Sequence, residues 1–517
     1  MKKQLLIIIF ATVLAYLNIF NNQFAVDDHI FVGKYNPNVI QAFTGAVPLG
    51  HEGIYRPIRG IFYTIYNQFW GANPIGYHIN SLAVHLASTI LIFLIVRILI
   101  KNLIPIKSGK YLPFLAALLF GLHPIHTETI TYMASAMDSI GIVFFLGAFY
   151  LYLRNKIIPS VILAGLAFFT TEMALTLPLL ILLYEIVINA PTVIPDQSPV
   201  IPDSDRESRM DWFPASAGMT EGVKEMTKKI LPYFVGVGIY LFVRFAVLDI
   251  TTRGPYLANS FFLTMLTMTK VLIQYIWVLI WPVNLASNHI ISPGIEAFVY
   301  RNYQTLAISK QSIFDLDILL SITIIIFLIF IVFISRKKYP IVSFSLGWFF
   351  ISLLPVMDFV PQGSMMNERS LYIASFGFVL LLAFGLGKLK WQKLGFILIM
   401  LIAVFYTGKT YVRNQDWRND ITLWQADIRL SPNQNAYARF ALGNAYNDRK
   451  DFQKAIDQYS KSVEINPGFA VGWASLGRTY ADMGKVSEAI TNYKRALEID
   501  PNFWEVKNNL NNIYNRL

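Results

Sequence analysis

The stretch NNQFAVDDHIF, residues 21–31, sets Asp27 and Asp28 side by side, with His29 next, directly after an apolar N-terminal run. Two carboxylates this close resist joint ionisation, so one of them should hold its proton to higher pH. Such a pair suits a general base or a cation site; the plain alternative is a solvated acidic pair at a membrane boundary. Residues 51–88, HEGIYRPIRGIFYTIYNQFWGANPIGYHINSLAVHLAS, place Arg56 and Arg59 ahead of an aromatic-rich amphipathic stretch. An interfacial helix with snorkelling arginines accounts for that pattern, and two guanidiniums at headgroup level also suit a lipid phosphate. In GLHPIHTETITYMASAMDSIG, residues 121–141, His123, His126, Glu128 and Asp138 cluster between two apolar runs. H-x-x-H without a third close ligand is a weak zinc signal, and polar groups lining a cavity are the better reading. Glu172 lies within the apolar FFTTEMALTLPLLILLYE, where a carboxylate marks function unless a turn between two short helices exposes it. Finally, LLPVMDFVPQGSMMNERSLYIAS offers Glu368 and Arg369 just before an apolar run, as an ion pair or as a phosphate clamp.

The elements that carry these residues follow from composition. Of 517 residues 55% are hydrophobic and only 15% charged, where a soluble domain carries about 25% charged residues. Apolar runs recur through the first 410 residues, which predicts an all-α, polytopic membrane protein. The net charge of +11 resides mostly in short loops between those runs, the positive-inside pattern, and this argues against nucleic acid. With no cysteine, disulfides, thiolate metal sites and cysteine nucleophiles are excluded. The N-terminal MKKQLLIIIFATVLAYLNIF lacks a small-x-small cleavage site and reads as an uncleaved anchor over residues 4–20 with its N-terminus in the cytoplasm. Twelve apolar segments can be counted, but strict alternation puts Arg336–Lys338 outside. Dropping one span between 157 and 282 repairs this, and the segment 261–282 with Lys270 is one candidate. About eleven spans then remain, with the C-terminus outside. All seven histidines fall on the outer side of that topology. Residues 189–229, with the echo VIPD at 193–196 and 200–203, read as a disordered cytoplasmic insert.

Beyond residue 410 the pattern turns polar and periodic. AYARFALGNAYNDRKDFQKAIDQYSKSVEINP, residues 436–467, aligns with AVGWASLGRTYADMGKVSEAITNYKRALEIDP, residues 470–501, at an offset of 34. Small residues at the eighth and twentieth positions and a closing proline identify tetratricopeptide repeats over 436–469 and 470–503. Residues 416–431 read as a preceding helix and 502–516 as a capping helix, so a membrane domain (1–410) is followed by an α-solenoid (411–517).

In this order VDDH, YRPI, LHPIHTET, NERSLY and DWRNDITLW, followed by the repeats, resemble the transmembrane and tetratricopeptide-repeat-containing O-mannosyltransferases and their bacterial relatives, of the GT-C glycosyltransferase fold. The resemblance covers nearly the whole chain except 189–229. It departs at Ala136, where an arginine is expected two before Asp138, at Thr171-Glu172 in place of Lys-Glu, and at Ala374 in place of proline; these positions bear on donor binding and sugar identity. The resemblance implies an inverting transfer of a mannose-like sugar from a polyprenyl-phosphate carrier on the outer face of a bacterial cytoplasmic membrane, with the repeats gripping a protein or glycan acceptor. Asp27 or Asp28 would be the base. Arg56, Arg59 or Arg369 would meet the phosphate, and His126, Glu128 and Asp138 would line the sugar pocket. A divalent metal is compatible with this many carboxylates, since some enzymes of that fold use one and others do not. Two rivals share the sequence: a membrane-anchored scaffold whose repeats recruit an envelope assembly, and a glycan ligase or polymerase fed by a lipid diphosphate.

Overall fold

The computed structural model describes residues 1–45, 54–101, 111–189, 216–250, 254–298, 308, 310–361, 363–389 and 391–515. Among these residues the chain is almost wholly helical. The first half holds α1 (Lys2–Tyr16), α2 (Asp28–Phe31), α3 (Val39–Thr44), α4 (Pro57–Trp70), α5 (Pro74–Lys101), α6 (Leu112–Leu122), α7 (Thr127–Thr131), α8 (Met133–Leu153), α9 (Ile157–Phe168), α10 (Leu177–Val187) and α11 (Ser216–Phe242). There follow α12 (Phe261–Ile280), a short antiparallel hairpin of β1 (Ile290–Ser292) and β2 (Ile295–Glu296), α13 (Leu316–Ser335), α14 (Pro340–Leu353), α15 (Leu371–Gly387) and α16 (Gln392–Asp416). The C-terminal part is α17 (Asp420–Leu430), α18 (Ala436–Asp448), α19 (Phe452–Ile465), α20 (Ala470–Asp482), α21 (Val486–Ile499) and α22 (Trp504–Tyr514).

Among the described residues eight helices are long and apolar enough to cross a membrane, and three shorter apolar ones, Leu112–Leu122, Ile157–Phe168 and Pro340–Val356, accompany them. Their surfaces show what surrounds them. The α13 window has a mean hydropathy of 3.2 with only 17% of it buried, and Phe327, Phe330 and Phe333 all face outward. A continuous apolar surface of this kind needs lipid as its solvent, and a helix meets every backbone hydrogen bond internally. The chain is a multi-pass membrane protein.

Lys270, the charge that made the segment 261–282 a poor span, pairs at 2.7 Å with Asp317 of α13 and is thereby neutralised inside a 20-residue apolar helix. Residues 190–215, most of the expected insert, lie outside the described residues, as does His51. From Ser216 onward the described chain is helical, so residues 216–229 depart from the disordered reading; Lys229 and Glu225 pair one turn apart on that helix. The boundary at 410/411 falls inside α16, which runs unbroken to Asp416.

Helix packing is close where glycine permits it. A Cβ on Gly377 of α15 would stand 2.3 Å from the Ser345 carbonyl oxygen of α14, and beside that contact the buried Trp348 Nε1–H donates to Ile373 O at 2.9 Å. In the repeats a Cβ at Gly443 would meet the Tyr459 ring at 2.5 Å, and one at Gly477 the Tyr493 ring at 2.6 Å. These two contacts are the physical content of the small eighth position.

One apolar cluster decides how the two halves meet. It joins Ala25, Phe31 and Val32 of the first loop, Tyr63 of α4, Met133 and Ala134 of α8, Trp417, Leu423 and Trp424, and Ala438, Ala441 and Leu442 of the first repeat. Polar bonds reinforce it. Asp427 accepts from Ser287 N and Asn288 N, and Glu296 accepts from Ala436 N and Tyr437 N at the start of α18.

Candidate functional site

Adjacent in sequence, Asp27 and Asp28 part company in space. Asp28 is buried and accepts from Ala134 N at 2.7 Å, Ala25 N at 3.2 Å and Met133 N at 3.3 Å, so it caps the N-terminus of α8. Burial pushes its carboxyl up to about 7, against the three backbone donors, and Asp27 is the least of the contributors. The expected rise is present, but desolvation rather than mutual repulsion causes it. Asp27 is exposed and accepts from the Tyr132 hydroxyl at 2.7 Å. Between them and α1, Val26 sits at φ 55°, a strained conformation for a β-branched residue, pinned by its N–H donating to Asp420 Oδ1 at 2.7 Å.

Asp27 opens on a cavity of about 170 Å3, an order of magnitude beyond the ~10–15 Å3 that one water needs. Arg56, Arg59, Tyr132, Asp138 and Arg369 are polar members of its lining, and Ile54, Ile142, Met173 and Val356 apolar ones. Arg56 reaches across three elements: its Nη1 donates to both Asp138 oxygens at 2.9 and 2.7 Å, and its Nε to Glu172 Oε2 at 2.5 Å. Arg59 Nη1 donates to Asp138 Oδ1 at 3.1 Å, with its guanidinium over the Phe31 and Tyr63 rings. Arg244, at the end of the helical run begun by α11, reaches Glu172 Oε1 at 3.4 Å. Arg369 donates through its Nη1 to Glu128 Oε1 at 2.7 Å and through its backbone N–H to Glu128 Oε2 at 3.0 Å. Four guanidiniums therefore stand against four carboxylates (Asp27, Asp138, Glu172 and Glu128), and the three guanidiniums on the lining, those of Arg56, Arg59 and Arg369, are the groups able to meet an anion.

Several expected residues lie elsewhere. His123 and His126 do not line the cavity. His123 Nε2 bonds Leu279 O at 3.1 Å while its Nδ1 accepts from Ile125 N, and His126 Nε2 bonds Ser375 Oγ at 2.9 Å among the Phe120 and Tyr372 rings. Both are core histidines: the two ring nitrogens of His123 and Nε2 of His126 have partners, while Nδ1 of His126 is buried without a hydrogen bond among the described residues. Glu128 and Glu172 stand behind the cavity and hold its arginines rather than facing a ligand. Burial raises the Glu128 carboxyl above its ordinary value, with Arg369 opposing. Glu368 and Arg369 form no pair with each other, since a backbone step sends them to opposite sides. Glu368 accepts from Ala286 N at 2.6 Å and bonds His289 Nε2 at 3.1 Å, towards the repeats.

Among the described residues no group of three or more His, Asp or Glu is placed to hold a metal ion. The carboxylates that could contribute are bound to guanidiniums, backbone N–H groups or a tyrosine. This donor set does not fit a resident divalent cation, whose oxygen ligands must be free to converge.

The sequence reading passed over Tyr132, Arg244 and Asp420. Arg244 carried a usable signal, an arginine at the end of an apolar run. Tyr132 and Asp420 carried none beyond membership of quoted motifs, because their partners are more than 100 residues away.

Residues 436–469 and 470–503 each match the tetratricopeptide repeat family. Over 436 residues the chain is 24% identical to human Protein O-mannosyl-transferase TMTC3, covering 80% of this chain and 45% of that protein. It is 24% identical over 472 residues to Drosophila melanogaster Protein O-mannosyl-transferase Tmtc3, and 24% identical over 441 residues to human Protein O-mannosyl-transferase TMTC4. These proteins are homologues of this chain. The matches cover 80% and 78% of it and 48% and 57% of the respective relatives, so the chain spans about half the length of the relatives it matches. The similarity reaches well beyond the repeats into the membrane domain that holds the cavity.

Proposed function

We propose that the chain is a membrane glycosyltransferase that moves a mannose-like sugar from a polyprenyl-phosphate donor to a hydroxyl of a protein acceptor, with inversion, on the outer face of a bacterial cytoplasmic membrane, where the repeats also lie. The observation that carries this reading is the cavity itself, whose lining brings together the exposed Asp27 carboxylate, the guanidiniums of Arg56, Arg59 and Arg369, and apolar side chains suited to a lipid-linked donor.

In this reading the acceptor hydroxyl lies against Asp27. As its oxygen forms the new bond to the anomeric carbon, its proton passes to the Asp27 carboxylate. The bond between that carbon and the phosphate oxygen breaks, and the electron pair leaves with the phosphate. Arg56, Arg59 and Arg369 stabilise the charge that grows there, and Asp138, Glu172 and Glu128 keep those guanidiniums in place before the reaction begins. Attack from the side opposite the phosphate inverts the anomeric centre. Tyr132, donating to Asp27, orients the base. Asp28 is given a structural role, since its oxygens face the start of α8.

The test is transfer from polyprenyl-phosphate mannose to a Ser/Thr acceptor in membranes carrying the full chain. Asp27→Asn is expected to lower kcat by about 10²–10⁴, the range of a lost general base. Asp28→Asn, at equal folded protein, is expected to retain most of it. Transfer by Asp27→Asn at the unsubstituted rate would remove the base from this mechanism.

A further inference from the structure

We infer that the groove between the first repeat and the Gln23–His29 segment docks an extended polypeptide, which presents its Ser or Thr hydroxyl to Asp27. This rests on the transferase reading above and names where its acceptor lies. The groove encloses about 540 Å3, more than the neighbouring cavity, with the Gln23–His29 segment as one wall and α17 and α18 as the other.

Three observations carry it. The first is continuity. Val26 and His29 face the groove while Asp27, between them, faces the cavity. One turn thus divides the two spaces, and it is fixed on the repeat side: Val26 N and His29 Nε2 both bond Asp420, at 2.7 and 3.0 Å, and Gln23 N bonds Arg418 O at 2.9 Å. A chain lying in the groove ends its path beside Asp27.

The second is the face that α18 presents. Ala441 and Ala445, one turn apart, are small enough to let a ligand backbone approach the helix. Beside them Asn444 Oδ1 accepts from the Tyr459 hydroxyl at 2.7 Å, which leaves its Nδ2 to donate to a peptide carbonyl. Asp420 is taken up by His29 and Val26 N, which leaves Asp448, exposed at the far end, as the carboxylate able to meet a basic residue near the segment's hydroxyl.

The third is what the groove lacks. A glycan acceptor would lie on open aromatic faces, but Trp424 is 4% exposed and packs edge-on against Tyr437 at 5.6 Å, while Tyr437 lies against Phe298 at 4.8 Å. Trp424 is spent on the protein's own packing, Phe24 and Tyr437 are half-buried with ring partners of their own, and amide and carboxylate groups remain for the ligand. A polypeptide backbone with polar side chains matches them.

The experiment uses the full chain in detergent, without donor, and a fluorescein-labelled peptide of repeating Thr-Val-Lys read by anisotropy. Saturable binding is expected, weakened about tenfold by Asn444→Ala combined with Asp448→Lys, as loss of one amide bond and one charge contact would give, compared at equal folded protein because Asn444→Ala also removes the acceptor of the Tyr459 hydroxyl. Glu488→Lys, an equal change of charge on the exposed face of α21, should bind the peptide as the unsubstituted chain does. The inference is overturned by absence of saturable binding, by equal binding of the doubly substituted chain, or by a labelled mannose oligosaccharide that binds in the peptide's place with the same sensitivity to the two substitutions. If the peptide binds as expected but receives no sugar from polyprenyl-phosphate mannose, the groove stands and the transferase reading falls.

Discussion

Asp28 shows how burial changes what a carboxylate does. Its carboxyl is pushed up to about 7, from an ordinary value near 4, chiefly by desolvation. The folded chain therefore binds a proton there that the unfolded chain releases between about pH 4 and about pH 7. The stabilisation from that proton is complete below about pH 4 and is lost as pH climbs to about 7, at about 1.4 kcal/mol per unit. Asp28→Asn cannot titrate, so the melting temperature of the variant in detergent should fall less steeply than that of the unsubstituted protein across this range. Parallel curves would show that the carboxyl titrates normally. A second residue-scale expectation concerns Arg56, which holds two carboxylates at once. Lysine keeps the charge but cannot span Asp138 and Glu172 together. Arg56→Lys should raise KM for the lipid-phosphate donor about tenfold, the worth of roughly one charge-assisted hydrogen bond, with a smaller change in KM for the acceptor. A split in the opposite sense would place the acceptor, not the phosphate, against this residue.

At the scale of elements, the walls of the cavity hold their positions because helices approach closely at small residues. Gly377 is the tightest such contact between α14 and α15, with backbone rather than a flexible side chain as its neighbour. Gly377→Ala must push the two helices apart, and overpacking of this kind costs about 1–3 kcal/mol. A lowered melting temperature is expected, together with weaker transfer, because α15 begins next to Arg369. Gly385→Ala on the same helix, where a Cβ meets nothing within 4 Å, should leave both measurements close to those of the unsubstituted protein. The elements themselves were largely legible: apolar runs marked the membrane helices, and the 34-residue offset marked α18–α21 with their flanking helices. The end of α16 was not, because its last turns are polar and are held by Asn414, whose Nδ2 donates to Ala15 O at 3.1 Å across the bundle.

For the whole molecule, the repeats are seated on the membrane domain by buried acids that no local pattern announces. Glu296 receives the first two N–H groups of α18, Asp427 receives two backbone N–H groups before the hairpin, and Glu368 turns to the same region while Arg369 turns to the cavity. Glu296→Ala would leave the α18 N–H groups unpaired in a buried site, at a cost of about 1.5–3 kcal/mol per bond to a charged group. Faster hydrogen exchange across residues 420–448 is expected, with the outer repeat 470–503 unchanged. Uniform loss of protection along the chain would instead mean that the whole structure had been weakened. The sequence by itself determined the membrane class, the repeats and the residue types of a site rich in guanidiniums and carboxylates, because hydropathy, periodicity and the chemistry of side chains are local properties. It could not separate Asp27 from Asp28, release His123 and His126 from the site, or bring Tyr132, Arg244 and Asp420 into it. Those outcomes depend on which side of a turn faces a cavity and on partners more than 70 residues distant. Burial and long-range pairing exist only once the chain has folded, and here they assign the roles.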